Sequence, residues 1–174
     1  MKRSFSLWQL AGFAATSLLG TLLHFLYEWT GESTLAAPFS GVNESTWEHM
    51  KLLYFPLLIF ALIQSRFFRE YENFRCVKSV GILTGLVLIP VLFYTYNGVF
   101  GRSPDFVNIG IFFVSAAVVF ILETKLIKNG FRCHFPKAAF ILIILIGVLF
   151  VLYTFMPPHL PVFRDPVTGE YGIE

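Results

Sequence analysis

The sequence predicts an all-α integral membrane protein, a bundle of five transmembrane helices with the N-terminus in the cytoplasm and the C-terminus outside. Three observations carry that prediction. Five apolar stretches each approach the length of about 20 residues that a helix needs to cross a bilayer. Charged residues make up 14% of the chain, where a soluble domain carries roughly 25%. Lysine and arginine are also divided unequally between the connecting loops. In 174 residues, 56% hydrophobic and with 21 Phe, there is more apolar surface than one soluble core would use. The length fits a single domain. A net charge of +2 without a dense basic stripe excludes nucleic acid as an expected partner.

The first span, 7–28, follows the basic start Lys2-Arg3. Its apolar run is longer than the roughly 7–15 residues of a signal peptide, and no A-x-A site follows it, so it is retained as a helix. The second span, 46–68, begins at Ser45-Thr46-Trp47-Glu48. These residues fit the S-x-x-E capping box, in which the hydroxyl and the carboxylate satisfy backbone N–H groups at a helix start. Pro56 lies inside this helix and should free the carbonyl of Leu52 and bend it. The third span, 77–96, carries Pro90 as a second kink. The fourth, 106–127, starts after Ser103-Pro104-Asp105. The fifth, 136–155, has Pro136 in its first turn and ends at Met156-Pro157-Pro158. Residues 1–156 thus form one transmembrane domain and 157–174 an extracytoplasmic tail. That tail is too rich in Val, Phe, Tyr and Ile for a purely disordered segment. It is expected to fold back as a lid over the outer face.

Orientation follows from the loops. With the N-terminus inside, ten of the 13 Lys and Arg residues lie on the cytoplasmic side, and only Lys51, Arg102 and Arg164 lie outside. Cys76 and Cys133 stand alone in separate cytoplasmic loops, outside any CxxC pair, and are expected to be free thiols. Gly81 and Gly85 form a G-x-x-x-G, read as a packing contact and as a weak pointer to a homo-oligomer. Glu123 is expected to be a surface carboxylate beside Lys125.

The acids and histidines gather on the side opposite to the basic residues. In the first span Gly12, Thr16, Gly20, His24 and Glu28 recur every four residues, a spacing that turns small residues toward neighbouring helices. An ionisable group in such a span is a functional candidate by default; its plainer role is to hold the packing together by a hydrogen bond. The second constellation is Asn43-Glu44-Ser45-Thr46-Trp47-Glu48-His49-Met50-Lys51. Its plainer reading makes Glu48 a capping acid, Trp47 an interfacial anchor and Lys51 a snorkelling partner of Glu48. The connecting loop is short enough to bring the two constellations together. His24, His49 and Glu28 then form a candidate ligand set for zinc or another divalent ion. Glu44 and Glu48 are candidate catalytic acids, and Asn43, Trp47, Lys51 and Arg102 candidate substrate-binding residues.

His24, Glu28-Trp29, Val42-Asn43-Glu44-Ser45 with Trp47-Glu48-His49 and Lys51, and Phe163-Arg164-Asp165-Pro166 together resemble a family of small bacterial inner-membrane proteins of uncharacterised function. The N-E-S-x-W-E-H-x-K segment is its most distinctive part. The resemblance implies a location and supplies no activity. From the residues themselves the leading reading is a metal-assisted hydrolase or transferase at the outer leaflet, acting on a lipid-like or small-molecule ligand. The alternatives are a small transporter or ion-conducting protein and a structural or accessory membrane subunit. Polar groups confined to one side favour the first, because a transport path needs them through the whole membrane depth.

Overall fold

A computed structural model of the chain describes residues 2–68, 70–71 and 73–173, with side chains from Ser4 onward. The charges of Lys2, Arg3, Arg69, Glu72 and Glu174, counted above, lie outside the described side chains. Five helices follow in order: α1 (Lys2–Trp29), α2 (Thr46–Phe67), α3 (Phe74–Phe100), α4 (Asp105–Lys128) and α5 (Pro136–Phe155). A 3-10 turn at Pro161–Phe163 closes the chain. All five helices are long and apolar enough to cross a membrane. At 1.5 Å per residue even α5, the shortest at 20 residues, spans about 30 Å. No strand occurs among the described residues, only an isolated bridge between Arg164 and Tyr171.

Helix α2 stands in the middle, packed on α1, α3 and α5; α1 also packs on α4, and α3 on α4 and α5. Leu53, Tyr54, Leu57, Ile82, Val119 and Phe150 form the centre of one continuous apolar core. Glycines decide how closely the helices approach. A Cβ at Gly81 would stand 2.6 Å from Glu123 Oε1, and one at Gly85 2.7 Å from Val119. The G-x-x-x-G therefore serves α3–α4 packing within this chain. Pro56 lies inside α2, and the Leu52 carbonyl that it leaves without an amide partner lies against Gly20 of α1. Outward faces remain apolar: Leu10, Leu18, Val87, Phe106, Ile121 and Leu145 are all more than half exposed.

Helices α1 and α4 run antiparallel in one register. Gln9 bonds to Glu123, Gly12 faces Phe120, and Gly20 faces Phe112. Each step up α1 is matched by an equal step down α4, so the same register sets His24 opposite Asn108. Of the four-residue stripe on α1, Gly12, Thr16 and Gly20 are buried, His24 is half-buried, and Glu28 is exposed.

Two expectations are corrected. Cys76 is buried in the first turn of α3 and disulfide-bonded to Cys133 in the α4–α5 loop, with Cα atoms 6.2 Å apart, so neither thiol is free. Both loops are expected at the same end of the bundle; what the sequence does not show is that these two positions, 57 residues apart, meet there. That end is also the one that loop charge assigns to the cytoplasm, where thiols are usually kept reduced. Glu123 is the second correction. It is only 1% exposed and pairs with Lys78 of α3 at 2.5 Å, not with Lys125.

Candidate functional site

Near the C-terminal end of α1 the returning loop bonds to the helix backbone. The Ser40 hydroxyl, carried on the returning loop, accepts from the Tyr27 N–H at 2.8 Å and donates to the Leu23 carbonyl. It thereby bridges an amide and a carbonyl one turn apart on the same helix. The Gly41 N–H adds a second donor to the Leu23 carbonyl at 3.3 Å. His24 lies within this turn, between Leu23 and Tyr27. A Cβ at Gly41 would stand 3.4 Å from His24 Nδ1, an ordinary van der Waals contact, so the loop packs directly on His24.

The start of α2 supplies the second imidazole. Ser45 caps the helix, its hydroxyl accepting from the Glu48 N–H at 3.3 Å. The other half of the capping box differs from the sequence expectation. The Ser45 N–H bonds to Asn43 Oδ1 at 3.0 Å, and the Glu48 carboxylate accepts from the Val42 N–H at 3.1 Å. In the next turn His49 Nδ1 lies 3.0 Å from the Ser45 carbonyl. A carbonyl only accepts, so Nδ1 carries the proton and Nε2 presents its lone pair when the ring is neutral.

Glu44 stands between the rings. Its Oε1 is 3.5 Å from His24 Nε2 and its Oε2 3.5 Å from His49 Nε2, with ring centroids 5.9 Å apart. The tail fixes Glu44 from above. Buried Asp165 accepts from the Glu44 N–H at 3.0 Å through Oδ2, and from the Val167 and Thr168 N–H groups through Oδ1. Asn43 donates to the Gly172 carbonyl at 3.0 Å, and Phe163 packs on Trp47. Residues 161–173 therefore fold back onto the Asn43–Trp47 segment.

Below the imidazoles a cleft of about 250 Å³ opens between α1 and α4, lined by Thr21, His24, Phe25, His49, Asn108 and Phe113 among others. Its walls are apolar except at the His24–His49 end. Asn108 Oδ1 accepts from the Ser103 hydroxyl, which leaves its amide NH₂ without a partner among the described residues. A polar depression lined by Glu28, Glu32, Asn43 and Glu44 lies on the other side of His24.

The structure thus brings His24, Glu44 and His49 together, with Glu28 and Asn43 beside them in the polar depression, and sets Glu48, Lys51, Trp47 and Arg102 elsewhere. Glu28 is exposed in the depression, and no group of three or more His, Cys, Asp or Glu side chains is placed to hold a metal ion among the described residues. Glu48 and Lys51 pair at 2.5 Å with both side chains buried. Lys51 does not snorkel: its Nζ donates to the Ala37 carbonyl and to Thr154 Oγ1, at 2.9 and 2.8 Å. Trp47 packs among Phe150, Tyr153 and Phe163, away from the cleft. Arg102 is exposed in the α3–α4 turn, with no ion pair among the described residues.

A second polar cluster went unread in the sequence. Gln9, Gln64, Lys78 and Glu123 come from four helices and are all buried. Gln9 Nε2 donates to Glu123 Oε2 at 2.7 Å, and Gln64 Nε2 to Gln9 Oε1 at 2.9 Å. Lys78 Nζ pairs with Glu123 and lies 5.4 to 5.8 Å from the ring centres of Phe60, Phe74 and Phe120. The usable signal was present: Gln9, Gln64 and Glu123 interrupt otherwise apolar runs.

Fold and site together define an α-helical bundle of five potential membrane spans with an imidazole–carboxylate cluster at one end. The chain belongs to a family of unknown function (DUF6512), matched over residues 1–173. Neither a curated protein nor a solved structure gives a significant match.

Proposed function

We propose that this chain is a multi-pass protein of a bacterial inner membrane, with its Lys/Arg-rich end in the cytoplasm. In this reading His24, Glu44 and His49 transfer protons to and from the polar head of an amphiphile at the outer leaflet, as in a hydrolase or transferase. The apolar part of that amphiphile lies in the cleft between α1 and α4. One observation carries the proposal: two imidazole Nε2 atoms converge on one carboxylate at the mouth of an apolar cleft on the flank of the bundle. Separations of 3.5 Å are longer than working hydrogen bonds, and catalytic contacts often tighten only around a ligand. The Asn108 amide and the His24 ring flank the head-group position. Asp165 acts as a positioning residue through the Glu44 backbone.

The test uses full-length protein in nanodiscs of a defined lipid mixture, with every lipid species followed by mass spectrometry. Wild type should alter one head-group class, and Glu44→Gln or His49→Ala should slow that change by about 100-fold or more, the usual weight of a positioned acid or base. A diazirine-tailed phospholipid should crosslink to Phe25, Ile109 or Phe113. Unaltered lipids together with crosslinks spread evenly around the bundle would contradict the reading. So would stoichiometric bound metal whose removal stops the reaction.

A further inference from the structure

The same α1–α4 seam carries a groove at its opposite end. It encloses about 460 Å³ and is lined by Leu10 and Phe13 of α1 and by Ala117, Ile121, Lys125 and Lys128 of α4. Its body is apolar, and Leu10 and Ile121 on its walls are 66% and 55% exposed. Its mouth carries two positive charges. Lys125 and Lys128, three residues apart, share one side of α4. Glu123, the nearest acid in sequence, is turned inward and held by Lys78 and Gln9, so it does not neutralise Lys125. Neither Lys125 nor Lys128 takes part in an ion pair among the described residues. The Thr124 hydroxyl is already used, donating to the Phe120 carbonyl at 2.7 Å.

We infer that this groove binds an anionic phospholipid, with one acyl chain along Leu10, Phe13 and Ile121 and the phosphate between Lys125 and Lys128. Charge selects this occupant. A zwitterionic lipid matches the apolar wall equally well but gains little from two unneutralised ammonium groups, whereas an anionic head group is favoured by each lysine near the surface. The groove lies on a lipid-facing flank of the bundle, where bilayer lipid is the solvent, so the ligand is present at high local concentration.

A tryptophan introduced by Ile121→Trp in the full chain, in nanodiscs, provides the readout. Phosphatidylglycerol or phosphatidylcholine with brominated acyl chains is added at equal mole fraction, and quenching is compared with that in a protein without the introduced tryptophan. Brominated phosphatidylglycerol should reach half-maximal quenching at a mole fraction about tenfold lower than brominated phosphatidylcholine. Lys125→Gln with Lys128→Gln should abolish the difference. Both lysines are exposed, and an unchanged melting profile verifies the fold of the double variant. Equal quenching by the two lipids would overturn the inference. Exclusion of both lipids from the groove, with a dimer in solution, would overturn it in favour of a second copy of the chain.

Discussion

Two polar clusters hang on α1, one at Gln9 and one at His24, about 22 Å apart along the helix axis. Both contain a carboxylate from another helix or loop and groups that hold or share a proton. Around Gln9 the carboxylate is 1% exposed, four helices contribute, and the charges meet at hydrogen-bond length. Among the described residues of that cluster only Gln64 Oε1 lacks a partner. Around His24 the side chains of His24 and Glu44 are 32% and 46% exposed, and each imidazole stops 3.5 Å short of the carboxylate. A cleft leads from there to the flank of the bundle. The contrast separates fastening from chemistry. Groups that satisfy one another in the dry interior hold helices together, and groups left partly unsatisfied at an opening are available to a ligand.

The sharpest way to break this contrast is to strip one charge from the buried pair. Lys78→Met leaves Glu123 buried without its cation and should lower the unfolding free energy by about 3–5 kcal/mol, followed by SDS titration in mixed micelles. Combining it with Glu123→Leu should bring stability back near wild type, because an apolar pair of similar volume removes the desolvation penalty as well. A single variant as stable as wild type would show that the pair fastens nothing. Next in size comes Gly81→Ala, whose methyl group would press on Glu123 and should cost about 1–3 kcal/mol. Gly98→Ala on the same helix meets nothing within 4 Å and serves as its control. The smallest effect belongs to the cap: Ser45→Ala should cost about 1 kcal/mol and speed amide exchange at Glu48. An unchanged exchange rate at that amide would mean that the Ser45 hydroxyl does not hold it.

The helices were legible in the sequence because each apolar run is long and its ends carry punctuation, such as the Ser45 cap and the prolines after Phe155. The meeting of His24 with His49 was legible too, since both flank one short loop. Glu44 as the group between them was not, because its place depends on Asp165, which lies 121 residues away. Glu48 was misleading for a related reason. Its position fits a surface cap, yet it is buried against Lys51, whose ammonium also donates to Thr154 of α5, and the contribution of α5 cannot be read from α2. The same limit hid the Lys78–Glu123 pair, made between segments distant in sequence, whereas the Cys76–Cys133 bond was missed because both loops were assigned to a reducing compartment. Local pattern gave the elements, and register between helices decided which polar groups met.

The most direct test of the division between the two clusters sets Glu44→Ala beside Glu123→Ala in the same micelle and the same unfolding titration. The account predicts a loss of about 3–5 kcal/mol for Glu123→Ala and less than about 1 kcal/mol for Glu44→Ala. Equal losses, or a larger one at Glu44, would show that the imidazole–carboxylate cluster fastens the bundle and is not held open for a ligand.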